Sequence, residues 1–291
     1  MLFITVPAWI NRHLYEGKKF RELSREELED LKRRLARFRP DRPEVSIVIP
    51  AWNEAENIFR ALSSLADSNI SLPAELVVVN NNSTDHTQEV LDDLGVVNYF
   101  QPMQGTPYAR QLGLEMAKGK YHLCADSDSL YPPDWAETMI GPLRKDDHCV
   151  GVYGRYSFLP LTGKTRISLT IYELITGLLV RLRKRNREYI NVLGFNMGFI
   201  TEIGLRTGGF KVKDVRKFDN KIGSDYFVEE AEDGRMALNL MKEGKLKLVS
   251  DARARVFTSP RRLKAEGGLF TAFTNRFKLH SSRLMEYFRG N

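Results

Sequence analysis

Residues 121–128 read Tyr-His-Leu-Cys-Ala-Asp-Ser-Asp, a short apolar run that ends in two acids. Such a run predicts a buried strand, on which side chains two positions apart point to the same face. Asp126 and Asp128 are therefore expected to point the same way. Two carboxylates at a buried strand end are costly unless a cation pairs with them, and their oxygens favour hard ions such as Mg²⁺ or Mn²⁺. A solvated Asp-Ser-Asp turn is the alternative.

Strand-like and helix-like segments alternate before this stretch. The predicted strands are Val45–Ile49, Glu75–Val79, Val96–Phe100 and Tyr121–Ala125, with helices at Glu54–Leu65, before Gly95 and at Pro107–Ala117. Apolar strands that alternate with amphipathic helices predict an α/β fold with a mostly parallel, doubly wound sheet and flanking helices. Ligands of such sheets bind beyond the carboxyl ends of the strands. Asn53-Glu54, Asn80-Asn81-Asn82 and Asp126-Ser127-Asp128 all follow predicted strands, so we expect them to meet at one edge.

Composition narrows the class of protein. The chain has 291 residues, a net charge of +7 and two cysteines, Cys124 and Cys149, whose spacing suggests neither a disulfide framework nor a metal site. No run of about 18 uncharged apolar residues predicts a spanning helix, and the apolar start at Met1–Ile10 is a poor secretory signal. We therefore expect a cytoplasmic protein. The absence of a recognisable nucleic-acid-binding motif argues against a nucleic-acid partner.

Several motifs, in this order, resemble those of the family 2 glycosyltransferases, which have the GT-A fold. Val45–Glu54 resembles the opening strand and loop of the family, Asn80–Asp85 the motif after the second strand, and Gly105–Gly113 the next helix. Asp126-Ser127-Asp128 is similar to the metal motif of the family. Gly208-Gly209-Phe210 and Glu232-Asp233 follow in the expected order. The resemblance covers about residues 45–260 and implies transfer of a sugar from a nucleotide-diphosphate donor, with a UDP-sugar favoured.

The resemblance implies a donor site across the first half of the domain. Base and ribose would be bordered by Pro50, Ala51, Asn53 and Glu54, with Asn81 below the base and Arg110 nearby. The family commonly has Asp where this chain has Asn80 and Asn81, so base preference stays open, and a simple turn is the alternative for this stretch. The sugar and the acceptor would be lined by Gly208 and Gly209.

The same resemblance assigns the charged residues of the site. Asp128 would hold Mg²⁺ or Mn²⁺ against the diphosphate, and Asp126 would contact the ribose or the water shell of the metal. Arg261 and Arg262 would donate to the diphosphate, with a solvated basic turn as the alternative.

Attack on the sugar requires a base for the acceptor hydroxyl. Asp233, at the start of a predicted helix Ala231–Met241, is the candidate, and a capping role is its alternative. Its neighbour Glu232 would contact the acceptor or cap the helix. A single base without a covalent nucleophile predicts inversion at the anomeric carbon.

The predicted domain is flanked by helical extensions. Residues 1–42 form an N-terminal helical extension in which Ser24 caps a helix, and residues 261–291 form a basic amphipathic segment. The catalytic domain, 43–260, divides into a nucleotide-sugar half at 43–130 and an acceptor half at 131–260.

Two apolar stretches suggest peripheral contact with an anionic membrane. Ile167–Leu182 runs into the basic stretch 181–187, and apolar side chains alternate with Arg and Lys between 269 and 284. Such contact, on the cytoplasmic face, would suit a lipid-linked rather than a free carbohydrate acceptor, with a role in cell-surface polysaccharide or glycolipid synthesis. Packing against the core, or against a second copy in a homodimer, is the alternative.

Two other functions deserve comparison with a glycosyltransferase. A sugar nucleotidylyltransferase shares the doubly wound sheet but requires a Gly-rich loop after the first strand, where this chain has Pro50–Glu54. A non-catalytic sugar-nucleotide-binding scaffold subunit is the second alternative. The presence of Asp126, Asp128 and Asp233 together argues against it.

Overall fold

The computed structural model describes residues 5–160, 187–212 and 232–261, and between them positions 166–167, 169–171, 173–174, 177 and 180. Its strands are β1 (Val45–Ala51), β2 (Ala74–Asn80), β3 (Val97–Phe100), β4 (Tyr121–Cys124), β5 (Ser129–Leu130), β6 (Cys149–Gly154), β7 (Tyr156–Phe158), β8 (Met197–Ile200), β9 (Lys245–Val249) and β10 (Val256–Thr258). Its α-helices with both ends described are α1 (Ala8–His13), α2 (Arg25–Leu35), α3 (Ile58–Ala66), α4 (Thr87–Leu94), α5 (Thr106–Met116), α6 (Trp135–Lys145), α7 (Thr201–Arg206) and α8 (Glu232–Met241).

The central sheet has seven strands in the order β3-β2-β1-β4-β8-β6-β9. Parallel pairs join β1 to β2 and β4, β2 to β3, and β6 to β9, whereas β8 is antiparallel to both β4 and β6. The predicted α/β fold with a mostly parallel sheet is confirmed. The antiparallel β8 was not predicted. Since Met197 pairs with Cys124, β8 brings the residues before it to the carboxyl end of β4.

Apolar side chains cover both faces of the sheet. Leu123 belongs to a large cluster with α3, α4 and α6, and the next residue, Cys124, belongs to a second cluster with Leu114 and Met236 on the other face. This alternation is the period of two that a strand imposes. Cys124 is buried and not disulfide-bonded, as predicted, and burial raises the pKa of its thiol to about 12.

The structure confirms the predicted start of α2 and displaces the predicted start of α3. At the start of α2, Glu27 N donates to Ser24 Oγ at 3.2 Å and Ser24 N donates to Glu27 Oε2 at 2.7 Å, which confirms the predicted cap. The helix predicted from Glu54 begins only at Ile58. Glu54 is held in the preceding loop, where Glu54 N donates to Thr87 Oγ1 at 2.8 Å, so the first turn is displaced along the chain.

A second, three-stranded sheet in the order β5-β10-β7 borders the end of β4. β10 is antiparallel to β5 and parallel to β7. Ser129 pairs with Thr258, and Ser259 N donates to the backbone oxygen of Asp128 at 3.2 Å. This small sheet therefore places residues 259–261 beside the acidic motif, through a pairing of β5 with β10 that the sequence does not predict.

Some predictions lie outside the described residues. These are Arg262 and the C-terminal segment beyond it, most of the basic stretch at 181–187, and the first residue of the helix predicted at 231. Among the residues that the structure describes, no helix is long and apolar enough to cross a membrane.

Candidate active site

The loop after β1 is tied to the loop after β2. Asn53, with a left-handed φ of 53°, accepts at Oδ1 from Thr84 N at 2.8 Å, and Asn53 N donates to Ser83 Oγ at 3.0 Å. Asparagine tolerates this backbone conformation better than most residues. Pro50 and Ala51, also predicted at the donor site, form the end of β1. These contacts give the predicted donor edge a fixed shape.

Asn81 builds a third loop at this edge. Its side chain is buried, with Nδ2 donating to Met103 O at 2.7 Å and to Gln101 O at 3.3 Å, while Oδ1 accepts from Gly105 N at 2.7 Å. A carboxylate could not donate to two carbonyl oxygens, which explains why an asparagine suits this position. The structure thus places Asn81 at the predicted site with its amide occupied by the loop.

Asp126 is held by a buried arginine. Arg110 Nη2 donates to Asp126 Oδ1 at 2.6 Å, and Asp126 N donates to the hydroxyl of Tyr131 at 2.8 Å. The Tyr131 hydroxyl in turn donates to Phe195 O at 3.1 Å. Sequence reasoning missed Tyr131, although an aromatic residue three positions after the acidic motif was a signal that could have found it. Burial raises its pKa, so the hydroxyl keeps its proton.

Arg110 joins the acidic motif to the start of α8. Its guanidinium is buried, and Nε lies 3.8 Å from Glu232 Oε1, beyond hydrogen-bond distance. Burial alone would lower the pKa of Arg110, but the charges nearby, Asp126 foremost, outweigh it and raise the pKa. A Cβ atom at Gly194 would lie 2.6 Å from Arg110 Nη2, so this glycine is needed for the close approach.

Asp233 lies in the first turn of α8, next to Glu232. Its Oδ2 accepts from Gly194 N at 3.0 Å, and its Oδ1 accepts from Gly234 N at 2.8 Å. Gly194 comes three residues before β8, which runs back along β4. The antiparallel strand therefore brings Gly194, which contacts Asp233, to the end of β4 that precedes the acidic motif.

Arg261 bridges two acids for which the sequence predicts different roles, Glu54 at the base and ribose and Asp128 at the metal. Its guanidinium forms ion pairs with Glu54 and, from Nε, with Asp128 Oδ2 at 3.1 Å. Burial opposes the charged form of Arg261, but Asp128 and then Glu54 raise its pKa above the ordinary value. The pair with Glu54 spans 207 positions of sequence, which is why no local pattern predicts it.

Gly208 and Gly209 have a structural role at the end of α7. Both have left-handed φ angles, 101° and 64°, and Gly209 N donates to Gly204 O at 3.0 Å. A Cβ atom on Gly209 would lie 2.2 Å from Gln111 Oε1, which accepts from Phe210 N. These contacts account for both glycines, and their predicted role in lining the sugar and acceptor stays a prediction.

The acidic motif fits a divalent ion that is bound together with a substrate. In the described part of the chain, no group of three or more His, Cys, Asp or Glu side chains is placed to hold a metal. Asp126 and Asp128 are both paired with arginines, so cations already satisfy this position. Mg²⁺ is typically bound by one or two carboxylates with substrate phosphates completing the shell, and these two residues suit that arrangement.

Comparison with known proteins agrees with the geometry. Residues 46–203, more than half of the chain, match the sequence model of "Glycosyl transferase family 2". An uncharacterized glycosyltransferase of Haemophilus influenzae is 30% identical over 127 residues, which cover 42% of this chain and 50% of that protein. A glucosyl-dolichyl phosphate glucuronosyltransferase of Haloferax volcanii is 23% identical over 190 residues, which cover 63% of this chain and 58% of that protein. The matches thus span less than two thirds of either relative.

A solved structure shares the fold. A mannosyltransferase from Pyrobaculum calidifontis, in complex with GDP-Man and Mn²⁺, superposes with a TM-score of 0.50 at 21% identity. The superposition covers 79% of this chain and 62% of that one. At this level of identity the likeness establishes the GT-A fold.

Proposed function

We propose that this chain, which belongs to the glycosyl transferase family 2, transfers a sugar from a nucleotide-diphosphate donor to an acceptor hydroxyl. A UDP-sugar is our favoured donor, and a carbohydrate or a lipid-linked molecule is the acceptor. The observation that carries the proposal is the set of charges at the carboxyl end of β4. Two acids lie there: Asp126 pairs with Arg110, which also approaches Glu232 at the start of α8, and Asp128 pairs with Arg261.

Asp128 and Asp126 would hold Mg²⁺ or Mn²⁺ in this proposal. When bound, the ion neutralises the charge that grows on the departing diphosphate. The mannosyltransferase of like fold was solved with GDP-Man and Mn²⁺, which supports a nucleotide sugar and a divalent ion here. Arg261, which is paired with Asp128 and Glu54, would compete with a metal for Asp128, and its guanidinium would donate to phosphate oxygens of the donor.

Asp233 would serve as the base. Two backbone N–H groups, of Gly194 and Gly234, orient its carboxylate and leave further lone pairs for a substrate hydroxyl. As the acceptor oxygen bonds to the anomeric carbon, its proton passes to Asp233, and the carbon–oxygen bond to the diphosphate breaks with its electron pair leaving on the nucleotide. One displacement from the face opposite the leaving group inverts the configuration.

The proposal is tested by measuring nucleoside diphosphate release across a panel of donors, with Mn²⁺ or with EDTA. We expect one donor to be preferred and release to cease with EDTA. Asp233→Asn should lower kcat by about a hundredfold or more, because the proton acceptor is lost. Asp251→Asn is the matched control, since Asp251 is an exposed acid that caps the short helix Ala252–Ala254 and is paired with Arg253.

Two outcomes would contradict the proposal. Tight nucleotide-sugar binding without turnover for any acceptor would favour the scaffold function. Undiminished turnover in Asp233→Asn would remove this residue as the base. The anomeric configuration of the product, read by NMR, decides between inversion and retention.

A further inference from the structure

An apolar stripe is exposed on the helical stretch that follows β7. Ile167, Ile171 and Leu174 are 60%, 54% and 51% exposed. They recur at positions i, i+4 and i+7, which places them on one side of a helix. Several large apolar side chains exposed side by side indicate contact with another surface, whereas scattered single ones do not.

The other side of this helical stretch is anchored to the protein. Leu169 is buried there. Glu173 forms an ion pair with the buried Arg166, and its carboxylate accepts from Ser157 Oγ at 2.9 Å and from Phe158 N at 2.8 Å. These contacts attach one side of the stretch to β7. The apolar stripe lies on the opposite side and therefore faces outward.

Charge in the adjoining sequence distinguishes between surfaces that could cover the stripe. Five of the seven residues at 181–187, directly after this stretch, are Arg or Lys. Anionic lipid headgroups attract such a cluster, and exposed apolar side chains close to it in the sequence insert below the headgroups. A second copy of this chain carries the same basic cluster and the same net charge of +7, so it lacks the charge complementarity that an anionic bilayer offers. The charges therefore favour a bilayer over a second copy.

We infer that the stripe Ile167-Ile171-Leu174 is a docking surface for an anionic phospholipid bilayer. β7, to which the stretch is anchored, pairs with β10, and β10 pairs with β5, which directly follows Asp128. Docking through this stripe would hold the small sheet, and the acidic motif at its border, near the membrane. Binding to vesicles requires no donor, so this inference and the proposed reaction stand or fall separately.

Flotation with vesicles tests the inference on the full chain. Vesicles of phosphatidylcholine with about one third phosphatidylglycerol should bind the protein, vesicles of phosphatidylcholine alone should bind it far less, and added salt should weaken binding. The double variant Ile171→Glu/Leu174→Glu should lower the partition coefficient by about tenfold or more, because it places charges in the inserted stripe.

The control must carry the same change of charge elsewhere. Leu205→Glu/Met241→Glu replaces two apolar side chains that are 43% and 41% exposed on α7 and α8. This variant should bind vesicles as the parent protein does. Equal losses in both double variants would show that net charge alone governs binding and would overturn the inference. So would a parent protein that fails to bind, or a loss confined to self-association when the stripe is changed.

A gain-of-signal measurement covers the case in which the stripe variant folds poorly. Ile171→Trp places a fluorophore in the stripe while keeping it apolar. Its emission should shift to the blue on addition of the anionic vesicles and should not shift with phosphatidylcholine alone. An unshifted emission with both vesicles, in a protein of native circular dichroism, would overturn the inference.

Discussion

Arg110 is the residue on which the site depends most. Arg110 and the nearby Glu232 are buried, and Arg110 pairs directly with Asp126, which is partly exposed. Removing one member of a buried ion pair destabilises a protein by more than the intact pair stabilises it, because the other charge loses its partner. The cost of removing Arg110 should therefore exceed that of removing an exposed arginine.

Arg110→Met is expected to lower the free energy of unfolding by about 3–5 kcal/mol, because it leaves Asp126 without its cation. The double variant Arg110→Met/Asp126→Asn should recover part of that loss. Urea denaturation measures both. Arg253→Met, which breaks the exposed pair with Asp251, is the control and should leave stability unchanged. Equal stabilities for the Arg110 and Arg253 variants would contradict this account.

Arg261 occupies the carboxylate that the proposed metal needs. In the absence of donor, Arg261→Ala should therefore tighten Mn²⁺ binding by about two- to fivefold, the size expected for a half-exposed ion pair. Electron paramagnetic resonance of free Mn²⁺ gives the affinity, and Arg253→Ala is the control. Unchanged or weaker Mn²⁺ binding in Arg261→Ala would show that the two cations do not compete for Asp128.

At the scale of elements, the site is made by the ends of strands and helices. β4 ends at the acidic motif, α5 supplies Arg110, and α8 begins with Glu232 and Asp233. Their relative positions depend on close packing between neighbours. Gly119, just before β4, shows this: a Cβ atom there would lie 2.6 Å from Val45 C and 2.7 Å from Ser46 N.

Gly119→Ala should lower the free energy of unfolding by about 1–3 kcal/mol, since backbone atoms of β1 cannot move aside cheaply. Gly141→Ala is the matched control. Gly141 lies inside α6 with open space at its Cβ position, so alanine there should raise stability by about 0.5–1 kcal/mol through helix propensity. Thermal unfolding of the two variants distinguishes them, and shifts of the same sign would contradict the packing argument.

At the scale of the whole molecule, the burial of two histidines makes the stability of the protein depend on pH. Burial lowers the pKa of His13 to about 4 and that of His122 to about 3, the latter with a smaller effect of Arg110. Both are neutral in the folded protein near pH 7. The unfolded chain takes up their protons near pH 6.5, so the stability they contribute is complete above that pH and is lost as the pH falls toward their folded pKa values.

The free energy of unfolding should therefore fall as the pH is lowered from 6.5 to 5, a window above most carboxylate titration. Each histidine contributes at most about 1.4 kcal/mol per pH unit. His122→Phe keeps the stacking on Phe199 and removes the titration, so it should flatten the curve. His148→Asn, at an exposed position, should not. A slope that persists unchanged in His122→Phe would assign the pH dependence to other groups.

Local pattern was sufficient for the four strands up to residue 125 and for the helices between them. Apolar runs predicted the strands because a buried strand needs both faces apolar, and Ser24 predicted the start of α2 because capping is a contact between residues three apart. The acids at 126 and 128 were identified because charge at the end of a buried strand is unusual, whereas Asp233 was named only through the family resemblance. The prediction of a helix from Glu54 was wrong: the helix begins at Ile58, and Glu54 N donates to Thr87 Oγ1 at the start of α4.

The sequence by itself determined the α/β class, the order of strands and helices from residue 45 to residue 125, the membership of the glycosyltransferase family and the candidate acids. Only the tertiary structure decided that β8 runs antiparallel, that Arg110 lies between Asp126 and Glu232, and that Arg261 joins Glu54 to Asp128. The reason is physical. Hydrophobic periodicity and capping act over a few neighbouring residues, whereas ion pairs across the sheet depend on where the whole chain has folded.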